Sequence, residues 1–139
     1  MFDVTEWQTA GPHRYQIRGD FILWESHGPV EPPQAHTFAQ LLIETSAQHG
    51  AAYCLCDGRA LKPVPAESRR VYIEYLKRNR LRFALAIFGA PLPMRVAGML
   101  VMNAARLLSL PELHVAYFAT EPEAARYLEV MRQRFGRAE

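Results

Sequence analysis

Cysteine is scarce in this sequence, with two residues among 139, and this excludes a disulfide-stapled scaffold. Long apolar runs are also absent. The richest stretch, residues 94–110, is interrupted by Arg95, Asn103 and Arg106, so we expect no membrane-spanning helix. The first residues lack a basic start followed by an apolar run, so we expect no secretory signal and a cytoplasmic location.

Motifs that carry catalysis are missing as well. The chain has no G-x-S-x-G turn, no phosphate-binding loop of the Walker type and no Ser-His-Asp order. The five histidines are scattered along the chain, at positions 13, 27, 36, 49 and 114. We therefore expect a protein that is not an enzyme and that needs no cofactor.

Cys54 and Cys56 are two residues apart in an apolar run, so both side chains are expected on one face of a strand. Two thiols fall short of the four ligands that a structural zinc ion needs, and His49 adds no second histidine at ligand spacing. We expect reduced, buried thiols and no metal site.

The composition is that of one globular domain, residues 1–139, with 50% hydrophobic and 22% charged residues. The net charge of +2 is unevenly distributed. Between positions 59 and 82 the chain has only two acidic residues against eight basic ones: Arg59, Lys62, Arg69, Arg70, Lys77, Arg78, Arg80 and Arg82. A basic cluster suggests nucleic acid, but Tyr72 and Tyr75 fall on the expected core stripe, and the pI of about 8.7 is modest. Nucleic acid is therefore not the favoured partner.

Apolar periodicity predicts the elements. Alternation over residues 13–18, a Gly19-Asp20 turn and an apolar run at 21–24 predict a hairpin, and a short strand around residues 4–8 can precede it. Pro32-Pro33 opens a helix that Gly50 ends.

The second half alternates strands and helices. We expect a strand at 51–56 ended by Asp57-Gly58, a Pro-containing loop to about residue 65, a helix at 66–79, and a strand at 82–88. Val71, Tyr72, Tyr75 and Leu76 should form the inner face of that helix. A third helix to about residue 110, a strand at 113–119 and a last helix follow. Thr120 and Glu123 form a capping box there, and the inner stripe is Ala124, Leu128, Met131 and Phe135.

The predicted fold class is α/β, a single domain with a mixed, mostly parallel sheet of about four to five strands and about four helices. The order is β-β-α-β-α-β-α-β-α, with the leading strand in addition. The later strands lack polar alternation, which is typical of strands buried on both faces.

Several landmarks in this order resemble the STAS superfamily, the fold of the sporulation anti-sigma-factor antagonists, and more closely the bacterial STAS-like proteins grouped with CRAL-TRIO-type domains. The resemblance covers about residues 11–135. Its landmarks are Gly11-Pro12-His13, Gly28-Pro29-Val30, Cys56-Asp57-Gly58-Arg59, Glu67-Ser68-Arg69-Arg70, Phe88-Gly89-Ala90, and the segment Phe118-Ala119-Thr120-Glu121-Pro122-Glu123-Ala124-Ala125.

The resemblance implies a regulatory, non-catalytic domain that binds a protein partner or small ligand near the start of the second helix. In the sporulation antagonists an Asp-Ser pair there carries a phosphorylatable serine. Here Gly58 follows Asp57, and the nearest hydroxyl is Ser68, ten residues later in sequence. Ser68 is a candidate phosphoacceptor, although an early-helix serine that makes local hydrogen bonds is the simpler interpretation.

Ligand crevices of parallel sheets lie beyond the carboxyl ends of the strands. The candidate binding residues there are Asp57, Gly58, Arg59, Ser68, Arg69, Gly89 and Arg95. Gly89 would let backbone approach an anion, and the arginines would add charge-assisted contacts. The alternative is that Gly89 makes a tight turn, Asp57 caps its own turn and the arginines are solvated.

The third helix suggests self-association. If Leu92, Val96, Leu100 and Leu107 face the sheet, another side presents Arg95, Gly98, Met102 and Arg106 to a second copy. The other interpretation is that a neighbouring helix of the same chain covers that side.

Two functions follow from these patterns. The leading hypothesis is a cytoplasmic STAS-like interaction module that presents the segment from Asp57 to Ser68 to a protein partner. The alternative is a carrier that holds an apolar or anionic ligand between sheet and helices, suggested by the third helix and by Trp24, Phe88 and Phe118.

Overall fold

The computed structural model describes residues 6–79, 81–96, 99 and 113–137. Within them the chain alternates strands and helices in a single α/β unit. The strands are β1 (Gln8–Ala10), β2 (His13–Arg18), β3 (Phe21–Gly28), β4 (Ala52–Leu61), β5 (Phe83–Phe88) and β6 (Leu113–Phe118). The helices are α1 (Pro32–His49), α2 (Ala66–Arg78), α3, described over residues 92–96, and α4 (Glu121–Arg137).

One sheet joins the six strands in the order of the sequence. The β1–β2 and β2–β3 pairs are antiparallel, and β3 to β6 are all parallel to their neighbours. The predicted fold class is confirmed as a mixed, mostly parallel α/β sheet. The strand count is larger than the four or five expected, because a leading strand pairs with β2; this strand, β1, shares only Gln8 with the expected range of residues 4–8.

The two faces of the sheet carry two apolar clusters. On one face, Leu41 and Leu42 of α1 and Met94 of α3 pack against Cys54 and Cys56. On the other face, α4 packs its predicted stripe against Tyr53 and the inward side chains of β5: Ala124, Leu128, Met131 and Phe135 are all buried. Because helices cover both faces of the sheet, successive side chains of β4 and β5 are buried on both sides. This is why the sequences of these two strands are nearly continuous apolar runs.

Local sequence signals determine most helix and hairpin boundaries as expected. Gly19 has a φ of +62°, and the two-residue turn leads directly into the pairing of Arg18 with Phe21. Gly50 ends α1 in the left-handed region, with its N–H donating to the carbonyl of Ser46 at 2.8 Å. The backbone N–H of Glu123 donates to the Thr120 hydroxyl at 3.5 Å, which is one of the two hydrogen bonds of the predicted capping box, and the hydroxyl donates to the Glu123 carboxylate at 2.8 Å.

The prediction that Asp57-Gly58 ends the central strand is wrong. Strand β4 runs on to Leu61, because β3 continues beside it and pairs His27 with Ala60. Between Glu25 and His27 the register shifts, so that β4 contains one residue more than β3 over this stretch. The loop before α2 is consequently only residues 62–65.

The predicted orientation of the third helix is also wrong where it can be tested. Leu92 and Val96 are 63% and 51% exposed, whereas Met94 is buried. Residues two apart on a helix lie on nearly opposite sides, so the burial of Met94 turns Leu92 and Val96 outward. Leu100 and Leu107, and the proposed contact residues Gly98, Met102 and Arg106, lie outside the described residues.

Across the described ranges, none of the helices combines the length and the hydropathy needed to cross a membrane.

Candidate functional site

The carboxyl ends of the parallel strands bring a row of side chains together on the face that α4 partly covers. The strand register places Arg14, Glu25, Asp57 and Phe88 side by side on β2, β3, β4 and β5. Arg59 joins this row from the bulged part of β4. We call Arg14, Glu25, Asp57 and Arg59 the charged edge.

The first pair of the charged edge lies across the hairpin. Arg14 donates to both carboxylate oxygens of Glu25, from Nε at 2.5 Å and from Nη2 at 2.8 Å. These charge-assisted hydrogen bonds lower the pKa of Glu25. The guanidinium of Arg14 also lies 4.3 Å from the ring centroid of Trp7, which adds a cation–π contact.

The second pair lies within β4. Asp57 accepts hydrogen bonds from the side chain of Arg59, at 3.0 Å from Nε and 2.7 Å from Nη2, and from its backbone N–H at 3.1 Å. The hydrogen bonds from Arg59 lower the pKa of Asp57. The Asp57 side chain is largely buried, but that of Arg59 is 73% exposed, so the pair presents an anchored guanidinium to solvent.

Gly89 makes a tight turn, as the alternative interpretation of the sequence predicts, and does not approach an anion. Its φ of +73° and its N–H, which donates to the carbonyl of Phe118 at 3.0 Å, make it a turn between β5 and α3. A Cβ at this position would lie 2.6 Å from Cγ of Arg59. The space that glycine leaves is therefore occupied by the aliphatic stem of Arg59, and the backbone N–H is not free for an anion.

Gly58 and Ser68 were expected to form part of an exposed binding surface, but the structure buries both of them. A Cβ on Gly58 would lie 2.6 Å from Cγ2 of Ile87, so glycine is needed there for contact between β4 and β5. Ser68 is fully buried, and its hydroxyl donates to the carbonyl of Val30 at 2.6 Å. This burial counts against Ser68 as a phosphoacceptor, since a kinase must reach the hydroxyl and the phosphate would be desolvated.

Arg69 and Arg95 remain on the surface as expected. Both are exposed, and neither forms an ion pair with any other residue that the structure describes. The candidate residues thus divide into three groups: Asp57, Arg59 and Gly89 meet, Gly58 and Ser68 are buried, and Arg69 and Arg95 are exposed.

Arg14 and Glu25 were missed by the sequence-based prediction. The signal was present, because a two-residue turn at Gly19-Asp20 fixes the hairpin register and places position 14 opposite position 25. His27 was missed too; its Nε2 lies 3.6 Å from a carboxylate oxygen of Glu25.

The buried thiols are suited to packing. Cys54 and Cys56 are free and lie in the same apolar cluster, as their spacing predicts. Desolvation raises the pKa of Cys56 to about 12 and raises that of Cys54 too, so little thiolate forms near neutral pH. Over the described part of the chain, no three His, Cys, Asp or Glu side chains come together in a way that could hold a metal ion.

Neighbouring side chains cover most of the surface of Trp24 and Phe88, two of the aromatic residues that suggested a carrier. Trp24 is 3% exposed and packs against His13, Tyr15 and Phe38, while its indole N–H donates to Ser26 at 3.3 Å. Phe88 is buried in the α4 cluster. These contacts leave Trp24 and Phe88 little surface for a ligand.

The inner face of α2 is half-buried rather than fully buried, as Val71, Tyr72, Tyr75 and Leu76 show. The ring of Tyr72 packs edge-on against Phe38, with 6.2 Å between ring centroids. Tyr72 therefore packs towards the core, as the helical spacing predicts.

A scan of the sequence against protein-family models gives no match, and a search of curated proteins finds no similar one.

Proposed function

We propose that this chain is a non-catalytic regulatory or interaction module of the STAS type, acting in the cytoplasm, and that it binds a protein partner through the charged edge. The observation that carries the proposal is the exposed guanidinium of Arg59, which Asp57 anchors and for which Gly89 leaves space. A pre-oriented arginine loses less conformational freedom on binding than a free one, and arginines are frequent energetic anchors of interfaces.

The neighbouring pair strengthens this proposal. Arg14 and Glu25 present a second charge pair on the same face, one strand away from Asp57. Opposite charges arranged in a fixed order favour a partner with the complementary order over other partners, which is how charged surfaces provide specificity.

The electrostatics of the edge support binding over proton transfer. The pKa values of both Glu25 and Asp57 are lowered by an arginine, which moves them away from the range near neutrality that a general acid or base needs. Two reduced, buried cysteines also suit the reducing cytoplasm.

The experiment that tests this proposal is quantitative affinity capture from a native lysate with the wild-type chain and two variants. Arg59→Gln removes the most exposed charge of the edge. Arg134→Gln is the matched control, because it removes an exposed arginine from the far end of α4. We expect a specific partner whose recovery falls about tenfold with Arg59→Gln and is unchanged with Arg134→Gln.

Thermal unfolding of both variants establishes that the fold is retained, which is expected because Arg59 is a surface residue. Equal recovery of all partners by the wild type and Arg59→Gln would reject the charged edge as the binding surface.

A further inference from the structure

A surface groove lies between α1 and α2, apart from the charged edge. It has a volume of about 290 Å³ and is lined by His36, Arg70, Val71, Glu74, Tyr75 and Arg78. All but His36 come from α2, the helix at the centre of the basic region of the sequence.

The groove has a fixed apolar part. Val71 and Tyr75 are half-buried, whereas Arg70 and Arg78 are exposed, so the apolar pair lies deeper than the two arginines. The Tyr75 hydroxyl lies 2.9 Å from Nδ1 of His36, and the two rings meet edge-on with 5.5 Å between centroids. This contact across the two helices holds the tyrosine ring in place.

The charges around the groove are incompletely neutralised. Arg78 lies 3.7 Å from Glu74 on the exposed helix face, a pairing of little energetic value. Arg70 has no ion-pair partner within the described ranges. Arg69 and Lys77 add two exposed cations on the same helix.

We propose that this groove binds an acidic segment of a partner protein. An apolar side chain of that segment contacts Val71 and Tyr75, and its carboxylates pair with Arg70 and Arg78. The proposal rests on charge complementarity and on the apolar floor, and it is independent of the charged edge.

The same groove suits a nucleic acid poorly. The Tyr75 ring is engaged edge-on by His36 and its hydroxyl is also in contact, so this ring is poorly placed as a platform on which bases stack.

Fluorescence anisotropy with the full chain tests the proposal. The probe is a short labelled peptide in which two leucines are flanked on each side by two glutamates. Arg70→Gln combined with Arg78→Gln removes both groove arginines, and Arg69→Gln combined with Lys77→Gln removes two charges from α2 outside the groove. We expect the first double variant to weaken binding about tenfold and the second to weaken it less than about threefold.

Two altered peptides test whether the acidic and the apolar side chains of the probe are both needed for binding. A peptide with glutamine in place of glutamate should lose binding, and so should one with serine in place of leucine. Absence of binding by the acidic peptide would overturn the proposal. Equal weakening by the two double variants, or an equally tight complex with a single-stranded DNA oligonucleotide, would show charge attraction without a groove and would overturn it too.

The location of binding is measured by backbone amide chemical shifts. We expect the acidic peptide to shift the amides of His36, Val71 and Tyr75. Shifts confined to Arg59, Gly89 and their neighbours would place the peptide on the charged edge and contradict this inference, while leaving the proposed function intact.

Discussion

At the scale of single residues, His13 connects three parts of the chain. Its ring is fully buried and stacks on Trp24 with 5.6 Å between centroids. Nδ1 accepts a hydrogen bond from the backbone N–H of His27 at 2.9 Å, so the proton of the neutral ring is on Nε2, which donates to the carbonyl of Pro29 at 3.2 Å. Both nitrogens are therefore satisfied only when the ring is neutral.

Protonation of His13 is therefore predicted to destabilise the fold. Burial is the main cause that lowers its pKa, and the nearby His27 lowers it further, whereas the hydrogen bond to Pro29 raises it. Because the folded pKa lies below the unfolded value of about 6.5, the contribution of the neutral ring is complete above that pH and is lost as pH falls below it. We expect urea unfolding to show this loss as the pH falls below about 6.5.

His13→Gln removes the titrating ring. We expect it to lower stability by about 1–3 kcal/mol at neutral pH and to flatten the pH dependence of the free energy of unfolding. His49→Gln is the matched control, because His49 is exposed at the end of α1. An unchanged pH dependence in the His13 variant would contradict this role.

At the scale of elements, the bulge in β4 decides where the charged edge lies. The extra residue of β4 lets the strand continue beside β3 after Asp57, and it places Gly58 against β5. A continuous strand through this point holds Asp57 and Arg59 on a rigid element and not on a loop.

Gly58→Ala tests the contact between the two strands. The new methyl group would lie 2.6 Å from Cγ2 of Ile87 and 3.1 Å from the backbone oxygen of Phe88, so β4 and β5 must separate locally. We expect a loss of about 1–3 kcal/mol of unfolding free energy, measured by chemical denaturation.

Gly136→Ala is the comparison for this variant. Gly136 lies in α4, and a Cβ there meets nothing within 4 Å. Alanine is the better helix former, so we expect no loss and a gain of up to about 1 kcal/mol. Similar destabilisation by both substitutions would show that loss of glycine itself, and not the contact with Ile87, is responsible.

At the scale of the whole molecule, apolar side chains fill both faces of the sheet. Native mass spectrometry of the freshly purified chain should therefore give 15.8 kDa or a multiple of it. A reproducible additional mass would contradict this prediction and support the carrier hypothesis.

The same measurement tests self-association through the third helix, which remains a prediction; of its expected contact residues only Arg95 is among the described ones, and it is exposed together with a different, apolar set. Leu92, Val96 and Met99 are exposed at helical spacing. We expect Val96→Glu to reduce the dimer fraction and Val130→Glu, on α4, to leave it unchanged, because the two valines are 51% and 52% exposed. A wild-type chain that is monomeric at every concentration would contradict self-association.

Features that depend on a few neighbouring residues could be predicted from the amino-acid sequence. The Gly19-Asp20 turn, the stop at Gly50 and the cap at Thr120 each act through backbone dihedral preferences or hydrogen bonds within about one turn. The buried stripe of α4 was predictable for a similar reason, since helical periodicity alone places its four members on one face.

Three features could not be predicted in this way: the end of β4, the side of α3 that faces the core, and the burial of Ser68 with its hydrogen bond to the Val30 carbonyl. Each depends on a partner distant in sequence: β3 beside β4, the cluster around Met94, and Val30, which precedes α1 and contacts α2.

The residues of the candidate site divide in the same way, into those that are predictable from the sequence and those that are not. Asp57 and Arg59 are neighbours that sequence reasoning could pair, but their alignment with Arg14, Glu25 and Gly89 comes from strand register, which side-chain packing on both faces of the sheet selects.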